Sequence, residues 1–313
     1  MTSAFIEKEH RKFFSRLGFA YLFGSVIICM MQIISAVFFK IAFPDLYKQY
    51  SFLLITGAFY IFCAPAIIIL IRQIDLPQGT VQKHSLSLLE FMKYFFVTYS
   101  GMYCMNLLGN FFIYMISLLK PSGQVTYTVS AQAISNPMWQ NVLVMVIFAP
   151  LFEEYVFRKM LIDRLSPYGD KIAILLSGLM FSLYHGNLYQ FFYTFILGIC
   201  FAYVYCRTRQ FLYPLVLHIL INFMGSVVSV YVTKVSETTG TYRNILLFLY
   251  SFIVLSFVLI GIIIFLLDHK KIRLDEGLIA LPKGKHIKTI IANPGILLFI
   301  LFWSGYIIYA TIN

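Results

Sequence analysis

The sequence predicts an all-α protein, a polytopic integral membrane helix bundle of eight or nine transmembrane helices with a cytoplasmic N-terminus. Composition is the first of three observations that predict it. Of the 313 residues, 60% are hydrophobic and only 12% are charged, and the mean hydropathy is +0.82. Since a soluble protein has about 25% charged residues, lipid must surround most of the chain. This composition excludes a cytosolic enzyme, a secreted disulfide scaffold and a disordered chain.

The second observation is a series of apolar runs. A helix of about 20 apolar residues, at a rise of about 1.5 Å each, crosses a bilayer. Nine such runs occur, at residues 17–39, 52–71, 94–119, 139–157, 172–185, 188–205, 212–232, 245–267 and 289–312. The fifth run is short, which predicts a helix that turns at Gly186 and Asn187 before it crosses fully. The runs divide into an N-terminal region of about three spans (1–138), a core of about four (139–225) and a C-terminal region of about two (226–313).

The third observation is the distribution of basic residues between the runs. The net charge is +11, and 19 of the 24 lysines and arginines fall in alternate connections that begin with the N-terminus, against five in the others. This bias places the N-terminus in the cytoplasm and the C-terminus outside. It also explains the positive charge without a nucleic-acid partner. The basic connection at residues 268–288 is interpreted as a solvated cytoplasmic loop, with a binding site for anionic lipid headgroups as the alternative.

Charged and polar residues inside these runs are the candidates for function, because charge in a membrane span is costly. The fourth run contains Glu153 and Glu154, followed one turn later by Arg158. Glu154 and Arg158 are i, i+4 neighbours that can form an ion pair, whereas Glu153 is rotated by about 100° onto its own face. Pro150, just before the glutamates, is expected to loosen the helix hydrogen bonds there and to help open a cavity.

Two further runs carry polar residues at a similar depth. His185 closes the fifth run, and His218 and Asn222 lie one turn apart in the seventh. Counted from the predicted cytoplasmic ends at about 1.5 Å per residue, Glu153 and these three lie roughly 14 to 21 Å deep. One intramembrane histidine or asparagine is more often a packing residue. A layer of such residues on three helices predicts a functional cavity.

The polar residues form three motifs in order. Glu153 to Arg158 fits E-E-x-x-x-R, Phe181 to His185 fits F-x-x-x-H, and His218 to Asn222 fits H-x-x-x-N. In these motifs the chain resembles the CPBP intramembrane metalloprotease family, which includes the type II CAAX prenyl endopeptidases and bacterial bacteriocin-processing, Abi-like proteins. The resemblance covers residues 139–225, and Lys159 departs from it where many relatives have glycine.

The resemblance implies a role for each polar residue. Glu153 would be the catalytic glutamate, and His185 would help it to hold and activate a water molecule. His218 and Asn222 would stabilise the oxyanion of the tetrahedral intermediate. Glu154 and Arg158 would be a supporting ion pair.

The residue types suit peptide hydrolysis independently of the resemblance. Hydrolysis needs a base for water and donors for the developing negative charge, and no serine or cysteine lies in a nucleophile motif. A glutamate and two histidines, Glu153, His185 and His218, are also a usual ligand set for one divalent metal such as zinc. Two alternatives therefore stay open, a metal cofactor and a metal-independent water activated by glutamate.

The functional hypothesis is an intramembrane endopeptidase that acts on a peptide or membrane-protein substrate within the lipid bilayer, in a bacterial plasma membrane. Two alternatives compete with it. One is a catalytically silent scaffold of the same family, which a fully functional Glu153→Ala variant would favour. The other is a proton-coupled transporter, because buried glutamate and histidine also form proton relays. No inverted repeat supports a transporter.

Overall fold

The computed structural model describes residues 3–76, 82–120, 133–281 and 284–312. Within these ranges the secondary structure is entirely helical, without a strand. The nine main helices are α1 (Ser3–Ala42), α2 (Pro44–Arg72), α3 (Leu88–Leu119), α4 (Met138–Tyr168), α5 (Asp170–Tyr184), α6 (Leu188–Thr208), α7 (Leu212–Ser236), α8 (Thr241–Lys271) and α9 (Pro294–Ile312).

Eight helices of the described chain are long and apolar enough to span a membrane, and α5 is the helix outside that group. All nine predicted runs lie wholly or mostly on helices, which confirms the predicted fold class. Outward-facing apolar side chains such as Phe248, Leu255 and Leu267 are more than half exposed, as expected for a surface in contact with lipid. The chain is a multi-pass membrane protein. Its division into three regions stays a prediction.

Short polar signals set the helix boundaries around the predicted core. α5 has only 15 residues, about 22 Å of helix, and it ends at Tyr184. Gly186 then adopts a positive φ of 60°, and the Asn187 side chain accepts a hydrogen bond from the Tyr189 N–H at the start of α6. This confirms the predicted early turn, which leaves His185 at the end of a short helix rather than in the middle of a span.

The last predicted run is interrupted, so the prediction that one helix begins at residue 289 was wrong. A short helix, His286–Ile290, precedes α9. Asn293 Oδ1 then accepts a hydrogen bond from the Ile296 N–H, and Pro294 begins α9. A capping asparagine followed by proline favours a new helix start over a continuous helix.

The helices pack through close backbone approaches. α6 packs between α3 and α5, α8 packs on α3, and α1 contacts both α2 and α9. Small residues allow this: a Cβ on Gly198 would lie 2.8 Å from the Gly178 Cα, and a Cβ on Gly261 would overlap the Phe96 carbonyl. Such small-residue contacts are typical of helix packing in membranes.

Contacts between helix ends agree with the prediction that alternate connections lie on the same side of the membrane. Three ion pairs join segments predicted on the same side: Glu7 with Lys285, Asp170 with Arg209, and Lys93 with Asp268. At the opposite end, Lys120 Nζ donates to the Thr311 carbonyl at 3.1 Å. The assignment of these ends to the cytoplasm and the exterior stays a prediction.

Candidate active site

The helix that carries both glutamates is irregular on either side of them. Within α4, residues 142–148 and 155–160 are π-helical, and the segment Ala149–Glu154 between them is α-helical. The Ala149 N–H bonds to the Val144 carbonyl, and Pro150 has no N–H to donate. The Met145 carbonyl therefore loses both helix donors that would otherwise serve it. Such π-helical insertions are frequent at functional sites.

Glu154 and Arg158 form the predicted ion pair in full burial. Arg158 Nε lies 3.0 Å from Glu154 Oε2, and both side chains are 0% exposed. The geometry is that of an ion contact rather than a hydrogen bond, since the guanidinium nitrogens have no hydrogen-bond partner among the described residues. Two aromatic rings cover the cation instead, Phe181 at 4.4 Å and Phe201 at 5.4 Å. The charge is held by a carboxylate and by cation–π contacts.

His218 joins the two glutamates. Its Nδ1 lies 2.9 Å from Glu154 Oε1, and its Nε2 lies 3.7 Å from Glu153 Oε2. Because a carboxylate only accepts hydrogen bonds, the Nδ1–H is the donor to Glu154, and in the neutral form of the ring Nε2 carries the lone pair. Phe201 stacks on the imidazole at 4.7 Å and 26°, which fixes the plane of the ring.

The two glutamates differ in access. The Glu153 side chain is 16% exposed, whereas Glu154 is 0% exposed and engaged by both Arg158 and His218. Only Glu153 can therefore approach a water molecule or a substrate. This is the division between a free and a paired glutamate that the helical spacing predicted.

His185 has a similarly defined orientation. Its Nδ1 lies 2.8 Å from the Phe181 carbonyl oxygen, so Nδ1 carries the proton and Nε2 of the neutral ring is an acceptor. The Phe181 ring packs edge-on against His185 at 4.7 Å and against His218 at 5.9 Å. The Phe181 ring therefore contacts both imidazoles, and it is also one of the rings that cover Arg158.

Asn222 contacts the backbone of α4 rather than another site side chain. Its Nδ2 donates to the Met145 carbonyl at 2.8 Å, which supplies the donor that the π-helical turn and Pro150 withhold. One hydrogen of the amide is used in this way, and the second is left for another acceptor. Of the six predicted residues, Glu153, Glu154, Arg158 and His218 are in direct contact, His185 joins them through Phe181, and Asn222 is anchored to α4.

Several neighbours of the site were not predicted from the sequence. Phe201 lies in the apolar run of α6, and Phe181 was only the first letter of a motif. Three tyrosines, Tyr60, Tyr184 and Tyr193, also lie in the surroundings of Glu153. Without a fold, an aromatic residue in an apolar run is indistinguishable from a packing residue, so no sequence signal identified them.

The fit of a metal ion can be judged from the side chains. Both histidines bind a carbonyl or carboxylate through Nδ1 and leave Nε2 free, as metal-binding histidines commonly do. In the described residues, however, no three His, Cys, Asp or Glu side chains form a group that could hold a metal. Glu153, His185 and His218 do not form such a group in this arrangement, and a metal cofactor stays a prediction.

Comparison with known proteins places this site in a family. Residues 135–224 match the family model described as type II CAAX prenyl endopeptidase Rce1-like. No curated protein and no solved structure matches the chain. The matched residues contain all three motifs, from Glu153 to Asn222, and the helices that bring them together. Through this segment, the chain is similar to the type II CAAX prenyl endopeptidases, the family that its motifs resemble.

Proposed function

We propose that the protein is an intramembrane endopeptidase in which Glu153 activates a water molecule. One observation carries the proposal: the more exposed of two adjacent glutamates faces His218, while Glu154 is locked by Arg158 and by His218. A general base must be reachable by water, and a supporting carboxylate need not be. The match of residues 135–224 to a protease family model supports the peptide bond as the target.

Glu153 and His185 together orient the attacking water. Both accept a hydrogen bond from it, Glu153 through its carboxylate and His185 through the Nε2 lone pair. A water molecule that donates to both turns its oxygen lone pair toward the scissile carbonyl carbon. Glu153 takes one proton as the hydroxide forms a bond to that carbon, and later gives it to the leaving nitrogen as the C–N bond breaks.

Stabilisation of the oxyanion involves His218 and Asn222. The neutral His218 ring has no hydrogen on Nε2, so it can donate to an oxyanion only after Nε2 has taken up a proton from solvent to give the imidazolium. The Glu154 carboxylate beside Nδ1 stabilises that cation, much as a buried carboxylate supports the histidine of a catalytic triad. Asn222 contributes the second hydrogen of its amide.

The substrate class follows from the surroundings of the site. Apart from His185 at the end of α5, the polar residues lie on membrane-spanning helices. Apolar side chains such as Leu151, Leu220 and Phe223 are more than a third exposed nearby on α4 and α7. A peptide or membrane protein with an apolar or lipid-bearing end suits this environment. We propose a plasma-membrane location in a bacterium, with access to the site from the cytoplasmic side.

Mass spectrometry of cleavage products tests the proposal. Purified wild type, Glu153→Gln and the matched control Glu237→Gln, on an exposed glutamate, are incubated with a peptide library with and without lipidated ends. Products from wild type and Glu237→Gln, but not from Glu153→Gln, are the expected result. Equal products from all three would overturn the role of Glu153. Complementation by Glu153→Gln in cells would favour the scaffold.

A chelator arm of the same experiment addresses the metal. Activity that survives chelation supports water activated by glutamate alone. Activity that is lost on chelation and restored by zinc would contradict the metal-free mechanism, and would require His185 and His218 to move toward Glu153.

A further inference from the structure

A large groove lies between helices of the bundle, apart from the candidate active site. Its volume is about 780 Å³, within the roughly 300–1,000 Å³ of small-molecule sites. Residues of α3, α5, α6 and α8 line it. In the described part of the chain, none of the six predicted site residues lines it. We call it the α3–α8 groove.

The interior of the α3–α8 groove is apolar and elongated. Its lining includes Leu175 on α5, Ile199 on α6 and Ile262 on α8. Along α3 it extends from Glu90 to Met105, about 22 Å of helix. Since the hydrocarbon core of a bilayer is about 30 Å thick, the groove covers more than one leaflet, a depth suited to an extended acyl chain.

The polar groups of the groove are concentrated at one end. Lys93 at the start of α3, Lys171 at the start of α5 and Lys271 at the end of α8 meet there with His269. Two carboxylates, Glu90 and Asp268, lie at the same end. The basic connection at residues 268–288, for which binding of anionic lipid headgroups is one interpretation, also begins at this end.

The two carboxylates at this end already have partners. Asp268 binds Lys93 at 2.9 Å and Lys271 at 2.5 Å, and Glu90 accepts hydrogen bonds from Ser87 in the cap of α3. Lys171 is exposed and has no ion pair within the described ranges. The end of the groove therefore carries three ammonium groups for two carboxylates, with one ammonium free for an anion.

We propose that the α3–α8 groove binds an anionic phospholipid of the bilayer, with an acyl chain along α3 and α6 and its phosphate near Lys171. The charge at the polar end complements an anionic headgroup, and the apolar interior complements the chain. The site is independent of peptide hydrolysis. It places a lipid against α5 and α6, the helices that position His185 and Phe201.

Photolabelling tests the proposal on the full-length protein in phosphatidylcholine vesicles. The vesicles contain a small fraction of phosphatidylglycerol with a diazirine on the acyl chain, or phosphatidylcholine with the same labelled chain. After illumination, mass spectrometry locates the labels. We expect groove residues of α3, α6 and α8 to be labelled more by the anionic probe, and equal labelling by both probes would overturn the proposal.

Charge variants test the polar end. Lys171→Gln is expected to lower labelling by the anionic probe about fivefold, the effect of removing one basic group at an anionic headgroup. Lys270→Gln is the control, since Lys270 is exposed at the same end of α8 but does not line the groove. The proposal fails if both variants label like the wild type.

A steric variant tests the apolar interior without a change of charge. Cys104 is exposed and lines the groove, so Cys104→Trp is expected to displace the chain and to reduce labelling by both probes. Leu107→Trp is the control, on the same helix and 70% exposed but outside the groove. Unchanged labelling in Cys104→Trp would overturn the proposal.

Discussion

Asn222 Nδ2 donates a 2.8 Å hydrogen bond to the backbone carbonyl of Met145, a helix carbonyl that receives no hydrogen bond from Ala149 or Pro150. A side chain of α7 thereby replaces a backbone donor that is missing from α4. His218 precedes Asn222 by one turn on α7, so the same contact fixes the level at which His218 meets the glutamates. The irregular turn of α4 and the H-x-x-x-N motif of α7 are therefore linked by a hydrogen bond.

Removal of this donor is expected to destabilise the protein. Asn222→Leu keeps the approximate size of the side chain but leaves the Met145 carbonyl without a partner, at a cost of about 1–3 kcal/mol. Thermal unfolding in detergent measures the loss. An unchanged midpoint would show that the carbonyl finds another donor.

Pro150→Ala is expected to reduce the cost of Asn222→Leu, because alanine restores an N–H that can bond to the Met145 carbonyl. The double variant should be more stable than the sum of the single effects by about 1 kcal/mol. Cleavage should remain about 10²–10³-fold below that of the matching Asn222 protein in both backgrounds, if the second amide hydrogen serves the oxyanion. Strictly additive changes in stability would contradict the proposed link between Pro150 and Asn222.

Glu153→Gln is expected to impair cleavage, whereas Glu154→Gln is expected to impair stability. Glu153→Gln should abolish cleavage with little change in thermal stability, because the side chain is partly exposed and has only a 3.7 Å contact with His218. Glu154→Gln leaves the buried Arg158 charge uncompensated, which costs about 3–5 kcal/mol. Cleavage and thermal unfolding of both variants provide the comparison. A stable, inactive Glu154→Gln beside an active Glu153→Gln would reverse the assignment.

A double variant separates the burial of charge from catalysis at this pair. Glu154→Leu with Arg158→Met removes both charges, and its stability should recover most of the loss seen in Glu154→Gln. It should remain inactive, because His218 then lacks the acceptor for its Nδ1–H. Recovery of cleavage together with stability would show that the pair has a structural role only.

The predictable part of the fold is the part that composition and i, i+4 spacing determine. Apolar runs identified the nine helical segments, and the spacing of Glu154 and Arg158 identified their ion pair. Both depend on residues close together in the chain. The break before α9 was missed because the apolar signal of the last run outweighed the capping signal of Asn293 and Pro294.

Contacts between helices were not predictable in the same way. The depth count placed His218 near the glutamates, but it gave no means of knowing that His218 binds Glu154 more closely than Glu153. The bond from Asn222 to Met145 depends on a π-helical turn, and Pro150 gave only a general sign of a loosened helix. The rotation of each helix decides these contacts, and the sequence contains no direct record of it.

Phe201 provides the last prediction, because its ring stacks on His218 and lies 5.4 Å from the Arg158 guanidinium. Phe201→Leu keeps an apolar side chain but loses the flat face, so the imidazole plane is less well fixed and a cation–π contact is lost. We expect kcat to fall about fivefold to tenfold, equivalent to about 1 kcal/mol, with KM unchanged. Phe192→Leu is the matched control on the same helix, since Phe192 stacks on Phe112 at 5.1 Å and not on a site residue. Steady-state kinetics and thermal unfolding of both variants test the role: equal losses of kcat in the two variants would show that Phe201 acts only through packing, whereas a loss confined to Phe201→Leu makes it a positioning residue for His218.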